Sequence, residues 1–260
     1  MSNRYHALYN RSINDAEAFW AEQAAHIAWD RSWDEVLDRS DAPFYRWYPG
    51  AALNICYNAI DRHVAQGRGD QDALIWESPV TQSDRRYSYS ALQNQVAKLA
   101  GALQSMGVVA GDRVIIYMPM IPEAAMAMLA CARIGAIHSV VFGGFAAPEL
   151  AKRIDDATPR VVLSASCGVE PSGVVDYKHL LDQALSAASH QVEQCLILQR
   201  PINPCELSPS RDQDWEQAVT QAAPVDCVPV DANHPLYILY TSGTTGRPKG
   251  IVRDHGAHPV

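Results

Sequence analysis

The stretch Leu236-Tyr237-Ile238-Leu239-Tyr240-Thr241-Ser242-Gly243-Thr244-Thr245-Gly246-Arg247-Pro248-Lys249-Gly250 decides how the rest of the chain is read. Leu236 to Leu239 is an apolar run of strand length and reads as a buried strand. Three glycines, four hydroxyl side chains and one lysine follow. A loop so composed leaves backbone N–H groups uncovered and adds hydroxyl donors, as wrapping a polyphosphate requires. Thr241, Ser242, Thr244 and Thr245 each offer a hydroxyl hydrogen bond. Gly243 and Gly246 let a ligand approach the backbone closely. Lys249 brings a point charge suited to the β- and γ-phosphates or to leaving pyrophosphate, whereas Arg247 reads as solvent-facing. A surface turn needs two or three such residues, not eight. The order is not that of a Walker A loop, which requires Gly, four residues and then Gly-Lys-Ser/Thr. Here Pro248-Lys249 follows Gly246-Arg247, which argues against a P-loop phosphotransferase.

Upstream, strand and helix patterns alternate. Ala73 to Glu77 and Arg86 to Tyr89 read as strands about a polar turn. Ser90 is placed as the N-cap of a helix through Met106, with Gly107 just past its end. Asp112 to Met118 reads as a strand, and Pro122 opens a helix to about Ile134. Ile137 to Phe142 is a buried strand, Pro148 to Asp156 a helix and Arg160 to Ser164 a strand. Tyr177 to His190 is a helix, Cys195 to Leu198 a strand, Pro201 to Pro209 a surface loop and Leu236 to Tyr240 the last strand. Arg253 to His258 reads as the start of a helix. The alternation predicts an α/β fold, with a mostly parallel sheet and helices on both faces. Ligands bind such sheets beyond the carboxyl ends of the strands, where the Thr241–Lys249 segment falls. At Val141-Phe142-Gly143-Gly144-Phe145 another strand ends in two glycines, which by themselves suit a tight turn or a ligand contact equally.

The first 65 residues differ. Asn14-Asp15-Ala16-Glu17 has the form of a capping box opening a helix to about Ala28, and a second helix is expected from about Leu53 to Ala65. Four of the six tryptophans lie within the first 50 residues. They read as a helical cap whose aromatics pack on a larger domain.

Composition narrows the function classes. The 260 residues carry a net charge of −8 with no basic block, which argues against nucleic acid as a partner. No run approaches the ~20 apolar residues of a membrane span, and the polar start through Arg11 does not resemble a signal peptide. The six cysteines, Cys56, Cys131, Cys167, Cys195, Cys205 and Cys227, show no C-x-x-C spacing and read as buried thiols of a reducing cytoplasm. The histidines form no metal-binding motif, and no metal site is expected.

Thr241-Ser242-Gly243-Thr244-Thr245-Gly246-Arg247-Pro248-Lys249-Gly250 resembles the phosphate loop of the acyl-adenylate-forming enzymes: acyl-CoA synthetases, luciferases and adenylation domains. Phe19-Trp20, Trp47-Tyr48 and the run Leu53 to His63 are similar to the N-terminal extension of short-chain acyl-CoA synthetases. Arg153 to Ala157, Ser164 to Pro171 and Tyr240 to Asp254 resemble propionyl-CoA synthetases in particular.

The resemblance implies the N-terminal part of such an enzyme's large domain, with an extension over residues 3–65 and an AMP-binding domain over 66–260. It implies Thr241, Ser242, Gly243, Thr244, Thr245, Gly246 and Lys249 as the ATP phosphate site, with Lys249 catalytic. It implies Phe142, Gly143 and Gly144 as CoA contacts. Acetyl-CoA synthetases carry two arginines for CoA within the Val161–Tyr177 stretch. Here Glu170-Pro171-Ser172-Gly173 stands in their place, with Arg153 and Lys178 as candidate substitutes. The implied substrates are ATP with Mg2+, CoA and a short-chain carboxylate, propionate above all, in the cytoplasm. Partners are then small molecules, not nucleic acid or membrane. The family's acyl pocket, adenine contacts, magnesium-binding acid and C-terminal domain would lie beyond Val260. The chain is therefore expected to be the N-terminal portion of a longer ligase, and by itself a nucleotide- or CoA-binding module without turnover.

Overall fold

The computed structural model describes residues 3–241 and 248–260. Its centre is the strand Arg113–Met118 (β1), buried on both faces because its two sets of alternating side chains are both apolar. Val114, Ile116 and Met118 enter one core and Ile115 and Tyr117 the other. Around it lie Ile137–Phe142 (β2), Val161–Ala165 (β3), Gln194–Leu198 (β4), Asp212–Asp214 (β5), Pro235–Thr241 (β6) and Lys249–Asp254 (β7). They form one sheet in the order β5-β4-β3-β1-β2-β6-β7. Every neighbouring pair is parallel except β6–β7.

Helices cover both faces. Tyr89–Ser105 (α1), Pro122–Arg133 (α2) and Trp215–Gln221 (α5) pack on the first core, while Ala147–Ala157 (α3) and Tyr177–Ala187 (α4) pack on the second. The fold is thus the expected α/β arrangement, with several local departures. The N-cap of α1 is Ser88, whose Oγ accepts from Ala91 N at 3.2 Å, and not Ser90. Where a helix start was expected at Arg253 to His258, Arg253 and Asp254 end a strand and residues 255–257 form a turn, because β7 pairs with β6 from Thr241↔Lys249 to Pro235↔Asp254. β6 is not uniformly buried. It meets β2 at one register position, Tyr237↔His138, and Leu239 is 52% exposed.

In the N-terminal region, Asn3–Asn14 and Ala16–Ala24 are separate helices, and the Asp15 side chain makes no capping bond. The second helix stops well before Ala28, since Asn58 takes both the N–H and the C=O of Ala28 through its side-chain amide, at 2.9 and 2.8 Å. Leu53 belongs to the short strand Ala52–Leu53, paired with Val230–Asp231, and the helix that follows widens to a π turn over Tyr57–Asp61. Tyr48, buried, touches Trp29, Trp33 and Trp47 and donates to Trp20 O at 3.1 Å. These aromatics pack over Ala51, Leu53 and Ala232.

Arg133 ties this region to the sheet. Its guanidinium forks Asp61 at 2.8 and 3.0 Å and donates from Nε to Val225 O at 2.6 Å. Burial alone would lower the guanidinium; Asp61 outweighs that and holds it above its usual value. Asn54, also buried, donates through Nδ2 to Ala132 O, Arg133 O and Val228 O at 2.8–3.1 Å, capping the carbonyls that end α2. Leaving either buried charge unpaired would cost about 3–5 kcal/mol.

Beyond β7, His255 is fully buried with neither ring nitrogen bonded, and His138 Nδ1 is likewise unpartnered. Burial, then the neighbouring His234, pushes His255 down to about 3; burial, then His258, pushes His138 down to about 4. Both are neutral when folded, and the unfolded chain protonates them near pH 6.5. Below that pH the unfolded state binds more protons, so stability falls as pH falls. Between pH 7.5 and 5.5 unfolding in urea should lose about 1–3 kcal/mol of stability, and His255→Leu should remove roughly half of that loss. A pH-independent midpoint would show that these imidazoles do not titrate on unfolding.

Candidate functional site

The carboxyl ends of the parallel strands lie along one edge of the sheet, and the residues singled out in sequence fall on two of them. Thr241 ends β6 and Lys249 begins β7. They are register partners in the antiparallel pair, and both are exposed. Partners of this kind carry side chains on one face about 4.5–5.5 Å apart. A hydroxyl and a primary ammonium therefore flank the two ends of the intervening loop. Ser242, Gly243, Thr244, Thr245 and Gly246 lie outside the described residues. A hollow of about 390 Å³, lined by Lys152, Asp155, Asp156 and Pro248, adjoins the Lys249 end. Tyr240 Oη donates to Asp156 Oδ2 at 2.5 Å across that side, joining β6 to α3.

The second element is the end of β2. Phe142 is 64% exposed, Gly143 is buried and Gly144 is exposed. The glycine at 143 has a steric reason: a Cβ there would lie 1.8 Å from Tyr177 Oη. Gly168 faces the same ring, its Cβ position 2.2 Å from Tyr177 Cε2. Tyr177, the first residue of α4, is thus sandwiched between two backbones that only glycine permits. It packs edge-on against Tyr117, at 5.1 Å between centroids, and Tyr117 Oη donates to Phe145 O at 3.1 Å. Burial, then Glu170, pushes the Tyr177 hydroxyl up to about 12, so it stays protonated at physiological pH.

Around this turn the structure separates residues that sequence could only list. Arg153 is buried: it donates to Glu149 O at 2.6 Å and stacks over Phe145 at 4.4 Å and Tyr240 at 5.6 Å. Lys178 is buried between Asp182 and Asp212. Both are occupied within the fold, so neither stands in for the CoA arginines as a free cation. Glu170 and Gly173 pair in a short hairpin, Gly168–Glu170 with Gly173–Val175. Beside it lies Arg200, which sequence reasoning passed over. It follows the carboxyl end of β4, donates to Cys167 O at 3.1 Å, and is near enough to Tyr177 to oppose Glu170's effect on that hydroxyl. Its signal in sequence was its place just past a strand end, the position already used to value Phe142 and Thr241.

On the opposite face of β6 is an apolar hollow of about 580 Å³ whose lining includes Met128, His138, Tyr237, Leu239 and His258. No helix among the described residues is long and apolar enough to cross a membrane.

A mostly parallel sheet with helices on both faces, Thr241 and Lys249 exposed at its carboxyl edge and a glycine turn after β2, defines an α/β domain of the kind that binds ligands beyond its strand ends. The chain belongs to the AMP-binding enzyme family, which it matches over residues 61–258, and residues 5–59 match the acetyl-coenzyme A synthetase N-terminus. It is 56% identical over 256 residues to an uncharacterized protein of Pseudomonas aeruginosa, covering 98% of this chain and 41% of that one. It is 48% identical to human acyl-CoA synthetase short-chain family member 3, mitochondrial, over 99% of this chain and 38% of the relative. To propionate–CoA ligase of Salmonella typhimurium it is 46% identical, over 97% and 40%. The solved acetoacetyl-CoA synthetase from Streptomyces lividans superposes with a TM-score of 0.87 at 28% identity, over 98% of this chain and 39% of that one. The chain therefore spans about two fifths of the length of these relatives.

Gly143→Ala should displace Tyr177 and lower stability by about 1–3 kcal/mol, with a clearly smaller loss in a Tyr177→Leu background. Denaturant unfolding of the four proteins of that cycle measures the coupling. Additive losses would mean that residue 143 does not press on the ring.

Proposed function

We propose that this chain supplies the phosphate-binding and part of the CoA-binding surface of an AMP-forming acyl-CoA ligase acting on a short-chain carboxylate, propionate in the first place. In that reaction the carboxylate attacks the α-phosphate of Mg-ATP, giving acyl-AMP and pyrophosphate. The CoA thiol then displaces AMP to give the thioester. The observation that carries this reading is the Thr241–Lys249 pair at the carboxyl edge of the sheet. The residues between them, Ser242, Gly243, Thr244, Thr245 and Gly246, complete the proposed phosphate loop. The protein's part is positioning and charge neutralisation, with no protein nucleophile. Lys249 offsets charge on the β- and γ-phosphates as pyrophosphate departs. Phe142, Gly143 and Gly144 line the CoA nucleotide, and Arg200 is proposed as the cation there. The propionate reading draws on the Salmonella relative's name and on the resemblance through Ser164 to Pro171. A cytoplasmic setting goes with it, since ATP and CoA are available there.

In the product of the complete reading frame, Lys249→Ala should slow carboxylate-dependent ATP–pyrophosphate exchange by about tenfold or more, equal to at least ~1.4 kcal/mol of lost transition-state stabilisation. Unchanged exchange in a folded variant would remove Lys249 from the site. Acetate, propionate and butyrate compared by kcat/KM in the same protein place the acyl preference; a maximum at acetate would overturn the propionate reading.

Residues 1–260 alone should bind nucleotide at most weakly and form neither acyl-AMP nor thioester. Incubation with propionate, Mg-ATP and CoA, followed by mass spectrometry, checks this. Repeated turnover above a Lys249→Ala control would refute it.

A further inference from the structure

Two thiols remote in sequence meet beneath the N-terminal segment. Cys56 is fully buried and Cys227 half-buried, and their sulfurs lie with a carboxylate oxygen of Asp61 all within 4.8 Å of one another. Arg133 Nη1 donates to Cys56 Sγ at 3.5 Å, and Cys227 Sγ donates to Asp61 Oδ2 at 3.6 Å. A hollow of about 260 Å³ lined by Asp30, Asn54, Tyr57, Asp61, Asp226 and Cys227 gives a small polar reagent access to the half-buried thiol. The backbone around Cys227 is pinned on both sides. Val225 O accepts from Arg133 Nε, Val228 N donates to Arg133 O at 2.8 Å, and Val228 O accepts from Asn54 Nδ2. The two sulfurs are thus held as neighbours, which raises the effective concentration of each at the other.

The same geometry disfavours a bound cation. Asp61 already gives both oxygens to Arg133, and an ion between the sulfurs and Asp61 Oδ2 would face the guanidinium Nη1 that touches Cys56 Sγ and Asp61 Oδ2 alike.

We propose that Cys56 and Cys227 form a reversible disulfide on exposure to a peroxide, clipping the N-terminal segment to the stretch that leads into β6. The Cys227 sulfur takes one oxygen from the peroxide: an S–O bond forms, the O–O bond breaks, and the hydroxide released takes up the thiol proton, which Cys227 directs at Asp61 Oδ2, and leaves as water. The Cys56 thiolate then attacks that sulfur. The S–S bond forms, the S–O bond breaks, and the departing hydroxide takes up the proton Cys56 released, leaving as a second water. The two thiols lose two electrons, which the peroxide gains. Arg133 Nη1 faces the negative charge that the Cys56 sulfur carries in the attack.

The test exposes the reduced chain to a slight excess of hydrogen peroxide, alkylates the remaining thiols and maps tryptic peptides by mass spectrometry. The expected product is a peptide pair joined through Cys56 and Cys227, two hydrogens lighter, reversed by dithiothreitol and about tenfold or more above any other cysteine pairing. In denaturant the preference should vanish. Cys227→Ser should abolish the cross-link, while Cys131→Ser, altering a thiol buried elsewhere, should leave it intact. Absence of the link in the folded wild-type chain, sulfinic acid at Cys227 in its place, or an equivalent of zinc retained by the two thiols through purification would each overturn the proposal.

Discussion

A guanidinium buried between a helix end and the underside of an N-terminal segment constrains most of what surrounds it. Arg133, 4% exposed at its side chain, can remain ionised there only if its donors are met and its charge is opposed. Asp61 supplies the charge, Val225 a carbonyl and Cys56 a sulfur. Cys56 and Asp61 lie in one helical segment and Val225 in a distant stretch, so satisfying one side chain sets the positions of both relative to α2. Asn54 does the same for the carbonyls that end α2. The first 65 residues are consequently part of the same polar and apolar accounting as the sheet, not an appendage to it.

The carboxyl edge of the sheet is organised by packing more than by charge. Tyr177 fills the space left by the absent side chains of Gly143 and Gly168. Arg153 spends its charge on Glu149 and on the faces of two aromatic rings, and Lys178 on two aspartates. Buried cations of this kind hold walls in place. The exposed groups that remain, Phe142, Thr241 and Lys249, stand on the rim those walls define.

Much of the fold was legible in the sequence because strands buried on both faces must be apolar without interruption. Asp112 to Met118 matched β1 to within one residue on that ground, whereas Ile137–Phe142 was bounded correctly although His138 and Ser139 interrupt it and Val140 and Phe142 are exposed. Short or half-exposed elements carry no such mark. The Gly168–Val175 hairpin is too brief to show a period, and β7, with Ile251 and Val252 adjacent and Arg253 and Asp254 adjacent, shows no alternation on a surface that is mostly exposed. Capping was misread where a competing partner decided the outcome: Asn58 ends the run before Ala28, and Ser88 rather than Ser90 reaches the first free N–H of α1. For the candidate site, sequence alone singled out the Thr241–Lys249 stretch, proposed to bind phosphate, and the glycine pair after β2. The ring against Gly143, the engagement of Arg153 and Lys178, and the place of Arg200 depend on tertiary neighbours that no local pattern encodes.

The single pairing of β6 with β2 has a mechanical meaning. From Tyr237 to Thr241 the strand extends as a cantilever ~13 Å long, stiffened lengthwise by β7 but rooted in the sheet at Tyr237↔His138 and a bond from Ser139 Oγ to Ile238 O. A tilt of about 5° at such a root moves the tip by ~1 Å, a displacement large enough to spoil the alignment of reacting atoms. Near the tip, the Tyr240 hydroxyl braced on Asp156 acts as a strut. The angle of the arm that bears Thr241 and Lys249 is thereby referred to α3, the helix that follows the glycine turn, so the two halves of the rim share one mounting.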